Sequence, residues 1–138
     1  GVEAPLDRFD TVIQGRASYD VARAAGIDRP YAHLREYVAT RSEAVAPEGV
    51  TFTADALATV RELKRQPGRD IYLCGGGDLA GALLPEIDRL ILKRNPVVLG
   101  SGIRLFGTTG ATIQRFRLVG SRAFESGVVI EEYARAIR

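Results

Sequence analysis

The chain reads as an α/β protein: a mixed, mostly parallel central sheet with helices on both faces, closed by a C-terminal antiparallel hairpin. Two observations predict this. As far as "IDRLILKRNPVVLG" (87–100), short apolar runs alternate with helix-patterned segments, the order of parallel strands joined by crossover helices. From residue 111 the helical period stops, and alternating β-branched segments flank "ESG" at 125–127, which reads as a hairpin.

Each element has a local reason. "DTVIQG" (10–15) is a short apolar run closed by glycine, a buried strand, and the alanine-containing "RASYDVARAA" after it is a helix stopped at Gly26. "REYVATRS" (35–42) alternates and ends in small polar residues, and "VTFT" (50–53) is a second short strand. "TADALATVRELKRQ" puts Ala56, Leu57, Val60, Leu63 and Lys64 near one helical face, with Thr53 or Asp55 as N-cap and Pro67-Gly68 as the stop. "DIYLCGGGDLAGALL" is again strand into helix, and Leu90, Ile91 and Leu92 make a further buried strand.

With 138 residues, 46% hydrophobic and 26% charged, the whole of 1–138 is expected to form one domain. A net charge of +2 is too small and dispersed for nonspecific nucleic-acid binding. One cysteine and one histidine exclude a disulfide framework and a Cys/His zinc site, so no metal is expected. No apolar run approaches the ~20 residues that span a bilayer, and "GVEAPLDRFD" lacks a signal-peptide pattern. The expectation is a cytoplasmic protein with no membrane partner.

Three consecutive glycines between a strand and a helix need a steric or ligand-based reason. Gly75, Gly76 and Gly77 would let an anion approach backbone N–H groups at a helix start, with Ala80 and Gly81 keeping the first turn open. Asp78 and Leu79 stand where a Walker loop needs lysine and a hydroxyl, and Gly75-x-Gly77-x-x-x-Gly81 misses the Rossmann spacing. A plain tight turn with Asp78 as helix cap accounts for the glycines equally well. Two other strand ends carry compatible chemistry: Arg16 and Ser18 in "QGRAS", and Thr40, Arg41 and Ser42 in "ATRS". Arginine binds phosphate bidentately and hydroxyls add donors, so these loops suit a phosphate monoester such as the 2′-phosphate of NADP.

"IYLCGGGDLAGALL", with "IDRLILKRNPVVLGSGIRLF" after it and "FDTVIQGRASYD" and "YVATRS" before it, resembles the dihydrofolate reductase-like superfamily, in the branch of the C-terminal reductase domain of bacterial riboflavin biosynthesis. The resemblance implies that Gly15, Arg16 and Ser18 contact the phosphates of NADPH and that Thr40, Arg41 and Ser42 lie beside its 2′-phosphate. Gly75, Gly76 and Gly77 then seat the pyrophosphate, with Asp78 and Leu79 opening the helix. A cis peptide between Gly75 and Gly76 is expected on the same basis, and Gly100, Ser101 and Gly102 are expected at the substrate end. Asp78 replaces the basic residue usual in folate-reducing members, which points toward the riboflavin branch.

The family's opening strand and its "SLDG" loop have no counterpart in residues 1–9, so an interior strand is expected to be lacking and no catalytic residue is assigned. Cys74 reads as a packing residue, His33 as a surface one, and Glu86 and Asp88 as unconverged. The implied activity is NADPH-dependent hydride transfer to a pyrimidine- or pteridine-like substrate, of the 5-amino-6-(5-phosphoribosylamino)uracil reductase type. A nucleotide-binding protein of the same fold without turnover, and a dihydrofolate reductase proper, are the alternatives. A homodimer is implied as well.

Overall fold

The computed structural model describes residues 8–136. Most of the stretch compared with the family's opening strand therefore lies outside the described residues. The elements, in order, are β1 (Phe9–Gly15), α1 (Arg16–Ala24), β2 (Arg35–Ala39), β3 (Val50–Thr53), α2 (Ala56–Arg65), β4 (Asp70–Cys74), α3 (Gly77–Leu83), β5 (Arg89–Arg94), β6 (Phe116–Ala123) and β7 (Val129–Arg135). They fall into two compact units, Gly1–Leu84 with Arg104–Thr109, and Pro85–Ile103 with Gly110–Arg138.

The first unit holds a four-stranded sheet in the order β3-β2-β1-β4, parallel throughout. Central β1 explains its own sequence: Val12 and Ile13 are at most 1% exposed, because a strand covered on both faces needs apolar side chains on both. Ile13 packs with Val60 of α2 and Leu79 and Leu83 of α3, joined by Tyr37, Ala39, Ile71 and Leu73. On the other face Tyr19 of α1 packs with Val38, Val50 and Phe52. The period-two alternation of Tyr37, Val38 and Ala39 thus sends successive side chains to opposite helical layers.

Helix ends follow local chemistry. Of the two candidate caps for α2, Asp55 serves: its carboxylate accepts the N–H of Ala58 at 3.0 Å. After α1 the chain turns at Gly26 (φ 80°), and the N–H groups of Gly26 and Ile27 return to the carbonyls of Arg23 and Ala22. Asp78 does not cap α3. Gly76 holds that position without a side-chain bond, and Asp78 lies inside the first turn, where its carboxylate engages another segment.

The second unit contains an antiparallel sheet in the order β5-β7-β6. The hairpin stands where the sequence places it, with Ala123 opposite Val129 and Gly127 (φ 88°) in the turn. β5 follows α3 and reads as one more parallel strand, yet it pairs antiparallel with β7. Nor is it wholly buried: Ile91 is 53% exposed.

Truncating Ile13→Ala should cost about 2–5 kcal/mol, the range for deleting a buried aliphatic side chain, whereas Val98→Ala at a 97% exposed position should stay within about 0.5 kcal/mol. Urea denaturation of the two variants checks this; equal losses would contradict the placement of the core.

Candidate functional site

The parallel register brings four strand ends level. Gly15 pairs with Ala39, Ala39 with Thr53, and Gln14 with Cys74, so the segments after β1, β2, β3 and β4 leave the sheet side by side. Ligands of open α/β sheets bind at this carboxyl edge. Here the N–H of Gly15 donates to the Gly75 carbonyl at 2.9 Å, the Thr40 N–H donates to the Thr53 carbonyl at 2.9 Å, and the Ser18 hydroxyl borders Gly75. Gly15 and Ser18 thereby meet Gly75, and Thr40 meets the end of β3.

Between the starts of α2 and α3 lies a groove of ≈ 440 Å³, lined by Gly15, Ala39, Ala54, Asp55, Ala56, Leu57, Asp78, Leu79 and Ala82. Most of these side chains are a methyl group or less, which leaves room for a ligand close to the backbone. Gly76 supplies no side-chain cap, so the first N–H groups of α3 lack helical partners, as at any helix start. Leu79, which also lines the groove, is buried and packs with Ile13, Val60 and Leu83. The two carboxylates in the lining are engaged: Asp55 caps α2, and Asp78 Oδ1 accepts the Thr108 N–H at 3.1 Å and its hydroxyl at 3.4 Å.

The glycines divide by role. The Gly75–Gly76 peptide is cis, as expected, and Gly75 has φ 60°, a conformation that L side chains rarely adopt. A Cβ on Gly76 would meet nothing within 4 Å, so its face is open. A Cβ on Gly77 would collide with the Arg104 carbonyl, and one on Gly81 with Thr109 and, at 2.5 Å, the Phe106 carbonyl. The absence of a side chain at Gly81 therefore admits the 104–109 segment, and the expectation that it keeps a turn open for a ligand is not met. Sequence reasoning missed this segment because nothing in "RLFGTT" signals that it docks on a helix far from it in sequence.

Among the arginines, Arg41 is exposed and makes no ion pair among the described residues, while the Thr40 hydroxyl accepts the Ser42 N–H at 3.1 Å and the Ser42 hydroxyl that of Ala44 at 3.1 Å. Arg16 is held more firmly: its Nε donates to Asp20 at 2.9 Å, and its guanidinium lies over Phe52. Gly100, Ser101 and Gly102 belong to the second unit, in an exposed loop between β5 and β6.

Two further features surround the sheet. A cavity of ≈ 620 Å³ at the amino ends of the strands is lined by Asp10, Arg29, His33, Arg35, Glu36 and neighbours. There the buried Glu36 carboxylate accepts the Tyr31 N–H at 3.1 Å, with Arg29 Nε at 3.8 Å. His33 is exposed, as read from its polar surroundings, and Cys74 is half-buried with its Sγ 2.9 Å from the Tyr31 hydroxyl. Burial, and then the thiol beside it, push the Tyr31 phenol above its ordinary value. Among the described residues no cluster of His, Cys, Asp or Glu is arranged to hold a metal, and no helix is long and apolar enough to cross a membrane.

The family model described as the RibD C-terminal domain matches residues 13–130. The chain belongs to the RibD C-terminal domain family. Its match spans the strand ends, the glycine run and most of the hairpin. The Bacillus subtilis protein YwjB, itself uncharacterized, is 38% identical over 132 residues, covering 92% of this chain and 74% of YwjB. A proposed riboflavin biosynthesis protein from Shewanella sp. PV-4 superimposes with TM-score 0.73 at 22% identity, covering 96% of this chain and 77% of its own. A diaminohydroxyphosphoribosylaminopyrimidine deaminase/5-amino-6-(5-phosphoribosylamino)uracil reductase from Thermotoga maritima gives TM-score 0.71 at 15% identity, covering 93% of this chain and 46% of its own. This RibD-type domain has the dihydrofolate reductase-like fold that these structures share.

Replacing Gly81→Ala sets two effects against each other. Helix propensity alone would stabilise by about 1 kcal/mol, but overpacking against a docked backbone costs about 1–3 kcal/mol. A net fall in thermal midpoint is expected by calorimetry; a rise would mean that the 104–109 segment yields freely.

Proposed function

We propose that the protein is an NADPH-dependent reductase acting on a pyrimidine- or pteridine-like compound, with 5-amino-6-(5-phosphoribosylamino)uracil reductase-type chemistry as its nearest model. The observation that carries this is the groove at the carboxyl edge, walled by small residues beside the start of the helix that Gly76 opens, in a chain of the RibD C-terminal domain family.

The residues present fit the cofactor. Gly75, Gly76 and Gly77, with the opening N–H groups of Asp78 and Leu79, would hold the pyrophosphate, because donors at a helix start favour an anion and Gly76 has no side chain to exclude one. Gly15, Arg16 and Ser18 would add contacts from the start of α1. Thr40, Arg41 and Ser42 would take the 2′-phosphate, with Arg41 supplying a charge that no other described group claims. Bound there, NADPH supplies a hydride to an electrophilic carbon. The protein's part is binding, orientation and exclusion of water. Asp55 and Asp78 are engaged as structural acceptors, so neither is assigned as the proton donor.

Fluorescence titration with NADPH, followed by loss of its absorbance on addition of candidate pyrimidine and pteridine substrates, tests the reading. Saturable binding with oxidation is expected; binding without oxidation by any of them would leave a nucleotide-binding protein, and no binding would remove the cofactor assignment. Arg41→Ala should weaken NADPH about 10–100-fold, the range for losing a charge-assisted hydrogen bond, with NADH nearly unchanged. Equal losses for both nucleotides would remove Arg41 from the 2′-phosphate.

A further inference from the structure

We propose that Phe52 is a positioning residue that sets the Arg16 guanidinium as a pre-oriented anion contact at the carboxyl edge, an inference that rests on the reading of that edge as the NADPH seat. Arg16 opens α1, directly after the last residue of β1, so its backbone is placed by the sheet. Its Nε donates to Asp20 Oδ1, one helical turn on, at 2.9 Å. The guanidinium carbon lies 5.1 Å from the centroid of the Phe52 ring and 5.9 Å from that of Tyr19. The two rings meet edge to face, 6.1 Å apart at 81°, and form a corner.

That corner belongs to the core. Tyr19 is wholly buried and packs with Val38 and Val50, while Phe52 joins the cluster from β3. Arg16 Nη1 is buried and has no acceptor. With Nε given to Asp20 and Nη1 covered, Nη2 is the guanidinium nitrogen left to donate outward. A planar guanidinium on aromatic faces keeps its charge with little hydration and only in-plane donors, so it meets an anion with less reorganisation than an arginine drawn from solvent. Arg41 is the contrast, exposed and with no aromatic partner among the described residues. The two arginines thus divide the work: Arg16 is set before the ligand arrives, and Arg41 is recruited by it.

Phe52 is the member of this arrangement open to test, because it reaches Arg16 from β3, a separate element, and does not line the groove. The experiment measures NADPH affinity and thermal midpoint for the native protein, Phe52→Leu, Phe52→Tyr, Arg16→Ala and the Phe52→Leu/Arg16→Ala double variant. Phe52→Leu should weaken NADPH about tenfold, whereas Phe52→Tyr, which keeps the ring, should stay within about twofold. With Arg16 already removed, Phe52→Leu should change affinity by less than about twofold, the signature of one residue acting through the other. The same factor with and without Arg16 would make Phe52 a core residue only and overturn the proposal. Should Phe52→Leu fail to fold, Arg16→Lys replaces it: the charge stays but the planar fork is lost, and unchanged NADPH affinity would overturn the proposal as well. Failure of the native protein to bind NADPH would instead strike the cofactor reading, and this inference with it; native binding that is indifferent to Phe52 would strike only the positioning role.

Discussion

The parallel register of β1 with its neighbours is the constraint on which the candidate site depends. Because Gly15, Ala39 and Thr53 are paired in one row and Cys74 lies opposite Gln14, the four segments that follow leave the sheet at the same level. A slip of one residue would exchange the faces of a strand, sending Ile13 away from α2 and α3. The buried apolar run of β1 therefore stabilises the first unit and also fixes where Arg16, Thr40 and Gly75 emerge.

The glycine run shows how one short segment serves several physical demands. Gly75 takes a positive φ, Gly76 leaves an open face, and Gly77 with Gly81 lets the 104–109 backbone lie against α3. Asp78 completes that last contact by accepting from Thr108. A loop remote in sequence thus braces the helix start at which the groove opens, and the carboxylate that reads as a cap becomes a tie between segments.

Much of the fold was legible because its signals are local. Buried β1, the capped α2, the strand-to-helix step at the glycines and the hairpin about Gly127 rest on apolar period, capping chemistry and turn residues within a few positions of one another. The antiparallel pairing of β5 was not legible, since its apolar core "LIL" is compatible with either direction and only the partner strand decides. In the site, Gly15 and Ser18 meet Gly75, while the Arg16 side chain turns to Asp20 and Phe52. The part of Phe52 was invisible, because "VTFT" marks a strand and says nothing of which guanidinium will lie on it.

By itself the sequence determined the order of elements, the place of the glycine run and the family that the motifs resemble, since composition, spacing and backbone permissiveness are properties of neighbouring residues. Only the tertiary structure decided which glycines face open space and which face a docked backbone, which aspartate caps and which ties, and which arginine is held on aromatic rings. Those distinctions depend on contacts between segments far apart along the chain, where direction and distance are set by packing and no local pattern encodes them.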